Sequence, residues 1–185
     1  MKRLFLFLTM LLMGATVLTA QDTSPKYGIK SGSYTLISEV MGQKVESKGF
    51  FDEYGNLQAS KTNTFGMEIT TVTRDGKTYM VNHAAKQVQE LPAQESINYL
   101  DLTDAIIAKY KIREAGSETV AGKDCVKYTL TVSQMGQTAD LTVSIWCGIP
   151  MKTVTSANGM EVTATITQLE EGDIDSSVFE VPSFD

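Results

Sequence analysis

This chain writes one strand-and-turn pattern twice, and that pattern limits it to a structure made of hairpins. Gly28, Tyr34-Thr35-Leu36 and Met41-Gly42-Gln43 return as Gly122, Tyr128-Thr129-Leu130 and Met135-Gly136-Gln137, 94 residues later. Gly66-Met67-Glu68-Ile69-Thr70 returns as Gly159-Met160-Glu161-Val162-Thr163 at an offset of 93, so one deleted residue reconciles the copies. The blocks run over about 28–72 and 122–166. A duplication and two like solutions to one building problem account for them equally well.

The repeated runs alternate. Tyr34, Leu36 and Val40 share one parity, with Ser38 between them. Val126, Tyr128, Leu130 and Val132 alternate cleanly, as do Met160, Val162, Ala164 and Ile166. Successive strand side chains point to opposite faces, so each run has one apolar face. Thr, Val, Ile and Tyr suit half-buried strands. Gly42-Gln43, Tyr54-Gly55-Asn56, Asp75-Gly76, Gly136-Gln137 and Asn158-Gly159 punctuate the runs, and Asp-Gly and Asn-Gly supply the positive φ that tight hairpins need. With Gly42-Gln43 as a two-residue loop, Val40 faces Val45, Leu36 faces Gly49 and Tyr34 faces Phe51. With Gly136-Gln137 as the loop, Val132 faces Leu141, Leu130 faces Val143 and Tyr128 faces Ile145. Glycine first in the loop is what a type II′ turn requires.

Between the blocks the period changes. Tyr99, Leu102, Ile106 and Tyr110 recur at helical spacing, which predicts one amphipathic helix over about 97–111. Asp175-Ser176-Ser177-Val178-Phe179 reads as a short turn carrying Glu180-Val181-Pro182 to the sheet edge. Hairpin after hairpin plus one helix predicts a mainly β fold. Its strongly curved antiparallel sheet receives the helix's apolar stripe on the concave face.

The amino terminus reads as an export signal: Lys2 and Arg3, apolar Leu4 to Leu12, then small residues up to a cut after Ala20. The apolar stretch is at the short limit of the roughly 17–25 residues that span a membrane. Gln21 rather than Cys follows, so no lipid-anchored terminus is expected. The expectation is an exported, periplasmic chain with one domain over 21–185 and no membrane span in it. Loss of Lys2 and Arg3 takes the formal charge from −6 to −8. So acidic a chain does not seek nucleic acid or anionic headgroups.

Little chemistry is legible. His83 is the one histidine, too few for a His-based metal site, and no Gly-x-Ser-x-Gly elbow exists. Asp52/Glu53 and Glu170/Glu171 are adjacent pairs that a strand would point to opposite faces. No phosphate-cradling glycine loop occurs. Six methionines follow the signal; apolar filling explains them best, then a flexible hollow for a greasy ligand, then a Cu(I) site. No catalytic residue, metal or cofactor is expected. Cys125 and Cys147 lie in the exported part, where a disulfide is the default. The hairpin register puts Val126 opposite Cys147 and turns Cys125 to the other face, so the expected bond needs a bulge.

Ile29-Lys30-Ser31-Gly32, Phe51-Asp52-Glu53-Tyr54-Gly55-Asn56 and Asp75-Gly76-Lys77-Thr78-Tyr79 resemble the amino-terminal half of exported LolA/LolB-like proteins of unassigned function, frequent in Bacteroidetes. Val120-Ala121-Gly122-Lys123-Asp124-Cys125, Trp146-Cys147-Gly148-Ile149-Pro150-Met151-Lys152 and Phe179-Glu180-Val181-Pro182 resemble the other half. The resemblance implies a half-barrel whose apolar concave face is partly covered by helix. In the LolA/LolB branch that hollow carries lipoprotein acyl chains. Lysine often stands there where this chain has Cys147, which would make a disulfide particular to this chain. The function expected is non-catalytic binding of a hydrophobic ligand, a lipid or lipoprotein acyl chain. Candidate lining residues are Tyr34, Leu36, Phe51, Met67, Ile69, Tyr128, Leu130, Ile145, Met160 and Val162. The alternative is a cell-envelope protein-interaction module with a filled core. An unfilled cavity beneath the helix would separate the two readings.

Overall fold

The computed structural model describes residues 24–184 apart from 41, 65, 93–95, 135, 136 and 158. The export signal and Ala20 lie outside the described residues. Among the described residues eleven strands follow one another as β1 (Gly32–Val40), β2 (Gln43–Asp52), β3 (Leu57–Thr64), β4 (Met67–Arg74), β5 (Lys77–Asn82), β6 (Gln87–Leu91), β7 (Arg113–Val120), β8 (Lys123–Gln134), β9 (Gln137–Trp146), β10 (Ile149–Ala157) and β11 (Met160–Glu171). Helix α1 (Asp104–Tyr110) lies between β6 and β7. All form one antiparallel sheet in the order β6-β5-β4-β3-β2-β1-β11-β10-β9-β8-β7. β6 and β7 remain edges, so the sheet is an open half-barrel with its helix on the concave face. The two repeats become β1–β4 and β8–β11. The first strand of one lies against the last strand of the other, from Gly32↔Glu171 to Val40↔Val162.

The hairpins are those the repeat predicts, but their register differs by two residues. Tyr34 faces Gly49, Leu36 faces Ser47 and Val40 faces Gln43, so Gln43 belongs to the strand and Gly42 lies just before it at φ +78. In the second copy Leu130 faces Leu141, Tyr128 faces Val143 and Gln134 faces Gln137, while Gly136 of the predicted loop lies outside the described residues. A slip of two keeps every side chain on its face, so alternation alone does not distinguish the two registers. The Tyr34 ring lies over Gly49: a Cβ there would sit 2.1 Å from it.

The expected disulfide is not formed: Cys125 and Cys147 are free thiols, one buried and one exposed. Trp146 faces Ile149, so Cys147 and Gly148 are the two central residues of a hairpin turn, at φ +48 and +78. Both positive angles are what a type I′ turn demands. Cys147 thus sits beyond the strand end, its carbonyl accepting from Gly28 N at 2.8 Å. Cys125 lies within β8 and donates to the Lys123 carbonyl at 3.4 Å. A bulge does exist, but after Pro150. Burial first, then nearby acidic charge, pushes the Cys125 thiol up. We expect one thiol, Cys147, to react with a maleimide in native buffer, and Cys125 only in denaturant. Mass spectrometry after limited labelling checks this; two unreactive native thiols would restore the bond.

The helix is shorter than its apolar spacing predicts. The Asn98 side chain accepts from Leu100 N and donates to the Pro25 carbonyl, both at 3.0 Å, which fixes a turn. Thr103 then caps α1 by accepting from Ile106 N, and Lys111 ends it in the left-handed region. Tyr99 and Leu102 still join the helix's cluster from irregular chain.

Residues 24–31 close one end of the half-barrel. Lys26 N and Tyr27 N donate to the Tyr54 carbonyl, and Tyr54 N donates to the Lys30 carbonyl. Tyr27 and Ile29 pack on a core of Phe51, Val120, Cys125, Ile149, Met151 and Ile166. The carboxy-terminal segment does not reach a sheet edge as expected. Its turn at Ser176–Phe179 seals the face of β3 and β4 that carries Ala59 and Val72, with Phe179 2 % exposed. Those apolar residues had no other cover, so the tail crosses the face instead of adding a strand.

Candidate functional site

The part of the concave face built by β8 and β9 is an apolar floor under a thin roof. The floor is Tyr128, Leu130, Val132, Leu141, Val143 and Ile145, brought together by Tyr128↔Val143 and Leu130↔Leu141 pairing. The roof is the segment from Ile97 to Ile112, which lays Tyr99, Leu102, Ile106, Ile107 and Tyr110 on that floor. No residue of α1 itself is buried. The Tyr99 and Tyr128 rings stand 6.0 Å apart. Burial first, then the neighbouring Tyr110 and Tyr128, raises the Tyr99 phenol, which stays neutral at any working pH.

The rest of that face is different. Across β1 to β4 the register aligns Leu36, Ser47, Thr62 and Ile69 in one row, and Tyr34, Gly49, Ser60 and Thr71 in the next. Ser38, Ser47, Thr71 and Thr155 are buried there. Ser47 and Thr62 bond each other at 2.7 Å, and Thr73 and Thr78 at 2.9 Å. The Ser38 hydroxyl is 1 % exposed and has no hydrogen-bond partner among the described residues. The concave face is therefore part apolar and part hydroxyl-lined. The sequence carried the signal in its same-parity Ser and Thr residues, which read there only as strand formers.

The ten candidate lining residues separate into groups. Tyr128, Leu130 and Ile145 belong to the floor under the roof. Tyr34, Leu36 and Phe51 pack with the closing segment, where burial pushes the Tyr34 phenol up to about 12. Ile69 and Val162 are half-buried on the same face. Met67 and Met160 stand exposed where their hairpins turn. A separate open groove of about 430 Å³ runs beside β8 to β10, lined by Lys111, Arg113, Thr129, Thr131, Asp140 and Thr142 among others. Leu130 is the one candidate that borders it.

His83 Nε2 lies 2.9 Å from Thr70 Oγ1 and 3.9 Å from Glu68, part of a hairpin end. Among the described residues no group of His, Cys, Asp and Glu is arranged to hold a metal ion. No described helix is long and apolar enough to cross a membrane.

One charged cluster braces the sheet's curl. Glu118 of edge strand β7 accepts from Ser144 Oγ of β9 and pairs with Lys152 of β10 at 3.2 Å and Lys127 of β8 at 3.7 Å. The Ser144 bond, then Lys152 and Lys127, hold the Glu118 carboxyl below the usual carboxylate range against an opposing effect of burial. A lowered folded pKa gives stability that is present above the unfolded value and lost as pH falls through the folded one. Glu118→Gln should cost roughly 1–2 kcal/mol at neutral pH, and the loss should shrink as the pH falls below the ordinary carboxylate range. Urea midpoints at several pH values check it.

No curated protein sequence matches this chain significantly. Its fold is similar to an uncharacterised conserved protein from Thermus thermophilus, with TM-score 0.60 and 11 % identity over 87 % of this chain and 91 % of that one. It is also similar to a chain of the Pseudomonas aeruginosa MucA/MucB complex, with TM-score 0.57 and 19 % identity over 82 % of this chain and 56 % of that one. MucB solved by itself gives TM-score 0.55 and 18 % identity over 86 % and 60 %. This chain therefore spans under two thirds of those two. At such identities the likeness shows the fold alone. A family match covers residues 51–147, from Phe51 in β2 to Cys147 in the β9–β10 turn, and by it the chain belongs to DUF4412, a domain of unknown function.

Proposed function

We propose that this is a non-catalytic, exported protein of the cell envelope that takes an apolar chain, such as a lipid or lipoprotein acyl chain, on the floor of β8 and β9. One observation carries the reading: α1, with no buried residue of its own, is the cover over Leu130, Val143 and Ile145. Lifting it exposes a continuous apolar surface at the cost of few fully buried contacts. The hydroxyl-lined rows of β1 to β4 belong to the same face, separated from that floor by β11 and β10, and suit the polar end of an amphiphile.

A second reading has its own support. The roof already fills the floor, and MucB, of similar fold, has been solved in complex with MucA. The chain would then be a filled module that binds an envelope protein.

Native mass spectrometry on the exported chain, with titration of a fluorescent fatty acid, distinguishes them. Carriage predicts bound lipid or saturable uptake, enhanced by Ile107→Ser in the roof and abolished by Leu130→Asp in the floor without unfolding. A folded chain that holds no lipid and takes up no probe, even with Ile107→Ser, overturns carriage in favour of the second reading.

A further inference from the structure

The two edges of the sheet are finished differently. β7 carries a bulge between Glu114 and Ser117, with Gly116 at φ +95, and its Glu118 reaches over to β9 and β10. A bulged, curled edge resists adding another strand. β6 has no such device. It pairs with β5 in unbroken register from Thr78↔Leu91 to Asn82↔Gln87, and Gln87 to Glu90 are all exposed. Its free side is a template for strand pairing.

The residues of this edge select the occupant. Lys86-Gln87-Val88-Gln89-Glu90 is its own complement when two copies run antiparallel about Val88. Val88 then faces Val88, Gln87 faces Gln89, and Lys86 faces Glu90 at both ends. Opposite charges directly across an antiparallel pair are favourable, and like charges are not. Centring on Lys86 or Glu90 would set like charges face to face. Centring on Gln87 or Gln89 would leave Glu90 opposite Ala84 or Val88. Lys86 is exposed at φ +50 in the turn just before β6, so it reaches Glu90 from the strand end and not as a paired strand residue. Glu90 engages Lys77 through Oε2 at 3.3 Å, which leaves its other oxygen for the facing Lys86. Val88 lies across from fully buried Val81, so a Val88 pair would set apolar side chains side by side at the edge.

We propose that β6 is a self-association edge: two copies of this chain join antiparallel about Val88 into one continuous sheet. This rests on the edge and not on what the hollow binds. So short a pairing buries less than the roughly 1,200–2,000 Å² of a standard interface, so the dimer is weak and forms at high local concentration.

Sedimentation equilibrium on the Cys147→Ser chain, from about 1 μM to about 1 mM, reads it directly. The expected result is a monomer–dimer equilibrium that Lys86→Glu or Glu90→Lys alone weakens roughly tenfold and the double swap restores. Val88→Cys should crosslink the dimer on mild oxidation, since facing Cβ atoms lie about 4.5–5.5 Å apart. A chain monomeric up to about 1 mM overturns the proposal and leaves the edge to an extended segment of another protein. A dimer indifferent to both charge reversals and not crosslinked through residue 88 overturns it equally.

Discussion

Phe51→Ala should lower the stability of the fold by about 3–5 kcal/mol, the largest loss expected from one side-chain truncation here. Phe51 is wholly buried and is the largest side chain in that condition. Its ring stands at 5.1 Å from Tyr27, almost perpendicular, the edge-to-face arrangement that aromatic pairs prefer. It also lies against Gly32, where a Cβ would come within 2.9 Å of the Phe51 ring. The cavity left by alanine is bordered by β-sheet backbone, which does not collapse to fill it. The urea midpoint should fall with an unchanged slope. A loss below about 1 kcal/mol would mean that the closing segment follows the ring inward and refills the space.

Gly148→Ala should cost about 2–4 kcal/mol, and here backbone is the reason. Gly148 sits at φ +78, and an added Cβ would lie 2.3 Å from the Lys26 carbonyl oxygen and 2.9 Å from Leu100 Cγ. Gly122, at φ +75 with nothing within 4 Å of its Cβ position, is the internal control. Gly122→Ala carries the left-handed strain alone, about 1 kcal/mol. The difference between the two variants measures how tightly residues 24–31 are held against the Cys147-Gly148 turn. Gly148→Ala should also raise proteolytic cleavage near Lys26, whereas Gly122→Ala should not. Equal losses in the two variants would mean that the segment yields freely.

Some of this architecture could be read directly from residue order. Alternation at Tyr128, Leu130 and Val132 and the Asp75-Gly76 turn are local properties, decided by side-chain parity and by which residues tolerate positive φ. The Met-Gly-Gln hairpins were legible as hairpins but not in register, because a slip of two residues leaves the same apolar set on the same face. The helix was legible from its stripe, whereas its start depended on Asn98 turning toward Pro25, a contact between segments far apart in sequence. The cysteine pairing was not legible for a related reason: Cys147 takes the turn position that a register two residues different would leave in the strand.

For the candidate site, the sequence supplied the floor residues Tyr128 and Leu130, which their spacing puts on one face, and Ile145, which hairpin parity puts on the same face. It did not separate them from Phe51 and Tyr34, because equally apolar side chains are divided only by which segment comes to lie on them.

The sequence by itself determined an antiparallel set of hairpins in two similar blocks and the presence of one amphipathic helix between them. These follow from periodicity and turn chemistry, which act over a few residues. Tertiary structure decided that β1 lies beside β11, that residues 24–31 close one end and the Phe179 segment seals β3 and β4, and that the roof covers only β8 and β9. Those choices depend on shape and on which apolar surface remains uncovered once the sheet has curled, a property of the assembled sheet and of no single stretch of chain.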